Sequence, residues 1–147
     1  MYKFPPKYHW NEEAGIAGCI IEDEHGNKFY GGALCHPDDE DMKSKLAGQT
    51  IAEMRAMTQA LRFKRDNELK PQLKALKQLY YAMNRSKEFD PKSYQSKMLY
   101  RHIQNIKTDL DTINNNIATL SQNLTIYISD KDKVYQSLRK IKQAKDN

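Results

Sequence analysis

Between Pro91 and Asn147 the sequence has neither glycine nor proline, and apolar side chains recur there in alternating steps of four and three: Leu99, Ile103, Ile106, Leu110, Ile113, Ile117, Leu120, Leu124, Tyr127, Val134, Leu138 and Ile141. Of thirteen positions in that register only Lys131 is polar. A repeat of 3.5 residues sets these side chains on one stripe of an α-helix, and a strand of period two has no use for it. At ~1.5 Å per residue a straight helix of about fifty residues would reach roughly 75 Å, beyond one small core, so its stripe must meet a second helix. Either the chain folds back on itself as a helical hairpin or it pairs with a copy in a coiled coil.

Composition points the same way. The 147 residues suit one domain, or a small head with a helical extension, and 39% hydrophobic against 29% charged residues is low for a compact globule. An elongated homo-oligomer, a dimer or larger, is expected. No apolar run approaches the roughly 20 residues that span a bilayer, and residues 1–10 lack the apolar centre of a signal peptide, so the expected location is the cytoplasm. Cys19 and Cys35 fall in expected strands without a second Cys or His spacing that would build a zinc site. They read as reduced thiols, with a disulfide across the hairpin as the minor alternative.

Charge is unevenly placed. Residues 1–60 carry six basic and ten acidic side chains, residues 61–107 carry twelve and four, and residues 108–147 six and five, so the middle third holds a net +8. An anionic partner is expected near the helices of that third.

Along the chain, the β-type runs 15–22 and 28–35 flank Asp23-Glu24-His25-Gly26-Asn27, whose Gly26-Asn27 pair suits the positive φ of a tight antiparallel hairpin. Residues 2–10 add an edge segment or an extended arm, since Pro5 and Pro6 offer no ladder donors. The polar stretch from His36 to Asp41 is a loop. A helix is expected from about 49 to 66 on Ile51, Met54, Met57 and Leu61. A second, about 71 to 87, begins at Pro71, where the missing N–H is tolerated, and carries Leu69, Leu73, Leu76, Tyr80 and Met83. The long helix starts near Pro91. Ser129-Asp130-Lys131-Asp132 resembles a capping box, so a break or reversal there stands beside an unbroken helix. The fold class is therefore α+β, an N-terminal antiparallel β-hairpin or small sheet followed by long α-helices in a helical hairpin or coiled coil. Residues 1–90 form the head and residues 91–147 the long helical region.

Catalytic signatures are missing. The carboxylates of Asp38, Asp39, Glu40 and Asp41 run consecutively beside His36, without the spaced ligands and central glycine of a calcium loop, and read as a solvated loop. His9, His25, His36 and His102 stand alone, and no GxSxG elbow, P-loop or GxGxxG occurs. No enzyme, no metal site and no cofactor are expected. The basic segment is more informative, because Arg55, Arg62, Arg65, Arg85 and Arg101 alternate with Tyr80, Tyr81, Phe89, Tyr94 and Tyr100. Guanidinium forks bind phosphate and aromatic faces stack on a nucleobase, so these types together suit a nucleotide. They equally suit aromatics packed between helices and arginines in solvent. Gly31 and Gly32 within a strand admit a close ligand or backbone, or mark a bulge.

The order of these features carries a resemblance. The strand ending Gly32-Ala33-Leu34-Cys35-His36-Pro37-Asp38-Asp39, the helix motif Gly48-Gln49-Thr50-Ile51-Ala52-Glu53-Met54-Arg55-Ala56, and Lys70-Pro71-Gln72-Leu73-Lys74-Ala75-Leu76 resemble the phage-encoded Thoeris anti-defence type I family over roughly residues 15–105. The resemblance implies a β-containing head with long helices, assembled at least as a dimer in an infected cell. It implies sequestration, without cleavage, of glycocyclic ADP-ribose, and for some members of cyclic oligonucleotides at separate sites. Carried to this chain, it points to Arg55 and to the aromatic and basic residues after Pro71, giving Arg55, Arg101, Tyr80, Phe89, Tyr94 and Arg85 as candidate ligand-binding residues. Two other readings compete: a coiled-coil module that docks on a host defence protein, and a nucleic-acid-binding protein. The last ranks lowest, because Asp66, Glu68, Glu88 and Asp90 interrupt the basic segment.

Overall fold

The computed structural model describes residues 5–34, 45–86, 88 and 90–146. It is an α+β protein in which a three-stranded antiparallel sheet precedes long helices: β1 (Lys7–Asn11), β2 (Ile16–Glu22), β3 (Lys28–Leu34), α1 (Lys45–Phe63), a π-helical segment (Lys64–Leu69), α2 (Lys70–Asn84) and α3 (Tyr94–Asp146). The chain forms two compact units, Met1–Ala60 with Thr119–Asn147, and Leu61–Ala118. The loop of His36 to Asp41, Cys35 and Phe89 lie outside the described residues.

In the first unit the sheet order is β1-β2-β3, with Tyr8 opposite Cys19 and Cys19 opposite Gly31. The amino-terminal segment thus forms an edge strand, and Pro5 and Pro6 fall just before the ladder, where they remove no sheet hydrogen bond. The hairpin turn differs from expectation in one detail: Gly26 alone takes positive φ, at 83°, and Asn27 does not. Asn27 instead bonds to Asp23, whose Oδ1 accepts from the His25 and Asn27 amides at 2.9 Å and whose Oδ2 accepts from Asn27 Nδ2 at 3.0 Å. Desolvation works to raise the Asp23 carboxyl, but these bonds from Asn27 and His25 win and hold it below its ordinary value.

Alternation on β2 and β3 turns Ala17, Cys19, Ile21 and Phe29 inward. They meet α1, and the deepest cluster is Cys19, Ile21, Ala52 and Ala56, with Met57 beside it. Ile51 is buried as its spacing predicts, whereas Met54 and Met57 are half-buried and the helix face in the core is mostly alanine. Small side chains allow a close approach. A Cβ at Gly31 would collide with the Ala52 carbonyl oxygen and come within 2.6 Å of the Ala56 nitrogen, and one at Gly48 would come within 2.9 Å of the Ala17 Cβ. Gly31 therefore admits another backbone, that of α1. The Cys19 thiol is free and buried, and burial, followed by the Glu53 charge, pushes its pKa up.

Helical backbone runs unbroken from Lys45 to Asn84, where two separate helices are expected. Pro71 lacks an N–H and its ring crowds the preceding turn. The chain accommodates this by widening just before it, the Lys70 N–H reaching back to the Arg65 carbonyl, a π spacing. Arg65 Nε donates to Asp66 Oδ1 at 2.8 Å and its Nη2 to Oδ2 at 3.3 Å, while Lys70 Nζ lies 3.3 Å from Oδ1. These two cations, Arg65 first, pull the Asp66 carboxyl down to about 2.

In the second unit α3 runs antiparallel to the preceding helical segment: Arg65 Nη1 meets Asn114 Oδ1 at 3.3 Å, and the rings of Tyr80 and Tyr100 lie 6.3 Å apart. Ile103, Ile106, Ile113 and Ile117 are buried together with Leu61 and Leu69. The part of the stripe from Ile103 to Ile117 thus finds its partner by folding back within the chain. Leu120, Leu124 and Tyr127 are half-buried, and Val134 and Ile141 are exposed. No break occurs at Ser129, because helix propagation through a stretch without glycine or proline outweighs a local cap. None of the described helices is long and apolar enough to cross a membrane.

Candidate functional site

Ser93 starts the site. Its Oγ accepts from the Ser96 amide at 3.2 Å and its carbonyl from the Lys97 amide at 3.1 Å, so it caps the amino terminus of α3. From that end Lys97, Tyr100, Arg101 and Gln104 recur at helical spacing on one face. Across from them Tyr80 projects from α2, and with Pro91 and Ser96 these residues line a cavity of about 430 Å³.

Among the described residues that line it, none is a carboxylate. Two cations, Lys97 and Arg101, stand beside two phenol rings, and the first turn of α3 adds the positive end of a helix dipole. Such a cavity attracts an anion and offers a flat aromatic surface. The rings are held against each other, Tyr80 and Tyr100 tilted by 49° and Tyr80 and Tyr81 edge-on at 66° with centroids 6.4 Å apart. Ser96 Oγ is buried and bonded to Ser93 Oγ at 2.9 Å.

Of the sequence candidates, the structure brings Tyr80 and Arg101 into this one cavity. Arg85 is exposed at the end of α2, where its amide donates to the Tyr81 carbonyl, and Tyr94 is 74% exposed in the first turn of α3; neither lines the cavity. Arg55 belongs to the other unit, where its Nη1 donates to the Gly32 carbonyl at 2.6 Å and ties α1 to β3. Lys97 and Gln104 escaped the sequence reading, although they sit four residues before and three after Arg101. Counting i±3 and i±4 neighbours around that arginine would have found them.

Compared with known protein families, curated proteins and solved structures, the chain matches none of them.

Proposed function

We infer that this protein binds an anionic nucleotide and holds it without converting it, in the manner of the Thoeris anti-defence sponges that its motifs resemble. The observation that carries the reading is the shared lining of Tyr80, Tyr100, Lys97 and Arg101. A pyrophosphate takes guanidinium and ammonium donors, and an adenine takes a phenol face. Glycocyclic ADP-ribose is the proposed ligand, and the cytoplasm of an infected cell the proposed setting. The test is to incubate the purified protein with a panel of signalling nucleotides, remove unbound ligand, heat the complex and identify what is released. Intact recovery of one nucleotide agrees with sequestration; a converted product would make the protein an enzyme, and no retained ligand would overturn the reading.

A homo-oligomer is part of the same proposal. The outer face of the sheet leaves Ile16, Ile20, Tyr30 and Leu34 exposed, and Val134 and Ile141 continue the α3 stripe in solvent. These surfaces, rather than the stripe as a whole, would form the contact between copies.

A further inference from the structure

Helix α2 has a second feature that the nucleotide cavity does not use. From Leu69 to Lys87 the sequence holds no acidic residue, while Lys70, Lys74 and Lys77 recur there at helical spacing. These three lysines, with Leu73, Gln78 and Tyr81, line one groove of about 360 Å³ along the helix. Asp66 engages Lys70 at 3.3 Å. Among the described residues no carboxylate forms an ion pair with Lys74 or Lys77. The Tyr81 ring at the end of the row is 54% exposed and set edge-on to Tyr80. The acids that interrupt the basic segment in sequence, Asp66, Glu68, Glu88 and Asp90, all lie outside α2.

We propose that this face of α2 binds a single-stranded nucleic acid, with phosphates along Lys70, Lys74 and Lys77 and one base stacked on Tyr81. The lysines span about 10 Å at ~1.5 Å per residue, and at ~3.4 Å per nucleotide of one stacked strand this is a length of about three phosphates. A duplex presents its bases already stacked, which leaves Tyr81 nothing to receive, whereas an open strand offers a free base face. The inference is independent of the Arg101 cavity. It needs only the lysine row and the ring.

The test is fluorescence anisotropy of a short labelled oligothymidylate with the full-length protein over a range of salt. Binding should show a slope of log affinity against log salt of about −2, three phosphates at roughly −0.7 each. Replacing Lys74 with Gln should lower affinity about five-fold at ~0.1 M salt and flatten the slope by about 0.7. Tyr81→Ala should weaken binding about five-fold or more without changing the slope. Lys107→Gln and Lys133→Gln, exposed changes on α3, should have no such effect, and circular dichroism of every variant checks the fold. The proposal is overturned if the oligonucleotide does not bind at low salt, or if Lys70→Gln/Lys74→Gln/Lys77→Gln binds as the parent does. Equal binding of a duplex also overturns it. So does polyphosphate, or a vesicle of anionic lipid, binding as tightly as the oligonucleotide with Tyr81→Ala unchanged.

Discussion

The backbone of Gly31 in β3 lies against the backbone of Ala52 in α1, so closely that a methyl group on Gly31 would overlap the Ala52 carbonyl oxygen. That contact sets the distance between sheet and helix, and with it the depth at which Cys19, Ile21 and Ala56 pack. Gly31→Ala should therefore cost about 1–3 kcal/mol or more, since overpacking against backbone has no side chain to yield. Gly32→Ala makes the paired control, because its nearest neighbour would be the Ala17 carbonyl oxygen at an ordinary 3.8 Å. Thermal melts should show a clear fall for the first variant and little change for the second.

The same contact explains what sequence reasoning reached and what it missed. Alternation at Ala17, Cys19 and Ile21 and the 3.5-residue stripe both survive in the fold, because burial on one face leaves a periodic record. The helix face against the sheet left a fainter one: Ile51 is buried as expected, but Ala52 and Ala56 are too small to dominate a hydrophobic pattern, so Met54 and Met57 read as core although they are only half-buried. Pro71 reads as a helix start, yet a π spacing, with the Lys70 N–H reaching back to the Arg65 carbonyl, carries the helix through it. At the cavity, Tyr80 and Arg101 were legible as residue types suited to a nucleotide. Their partners Lys97 and Gln104 share the helix face of Arg101 by spacing alone, but that this face meets Tyr80 of α2 follows only from the fold.

The stripe also predicts where a charge unfolds the protein and where it does not. Ile113 is buried within one chain, so Ile113→Asp should abolish the cooperative thermal transition, a buried unpaired carboxylate costing several kcal/mol. Val134→Asp and Ile141→Asp fall on exposed positions and should leave the melt within a few degrees. If copies associate through that end of α3, light scattering should show a smaller mass for the latter pair with the fold intact.

Acid should weaken the Arg65–Asp66–Lys70 cluster over a defined range. The Asp66 carboxyl lies at about 2, below the ordinary 3.8, so the ionised form favours the fold at every pH above 3.8 and that contribution fades as pH falls from 3.8 towards 2. The cluster is exposed, so the expected effect is small at neutral pH. An NMR titration of the Asp66 side-chain carboxyl should give a midpoint near 2, and Arg65→Ala should move it upward further than Lys70→Ala does. A midpoint near 3.8 in the parent would show that the pair does not form in solution.

The two arginines of the nucleotide proposal should separate by the quantity each one moves. Arg101 lines the cavity with Lys97, Tyr80 and Tyr100, and a charge-assisted bond contributes roughly 1.5–3 kcal/mol. Arg101→Ala should accordingly weaken glycocyclic ADP-ribose binding by about ten-fold to a hundred-fold in a calorimetric titration, with the melting temperature unchanged. Arg55 donates to the Gly32 carbonyl, so Arg55→Ala should lower the melting temperature through the loss of a tie between α1 and β3. Lys133→Ala, an exposed change on α3, should alter neither quantity. Tyr80→Ala should reproduce the affinity loss of Arg101→Ala if the ring is the base platform. Equal affinities in the parent, Arg101→Ala and Tyr80→Ala would remove the ligand from this cavity, and a parent that binds no nucleotide at all would favour docking on a protein partner instead.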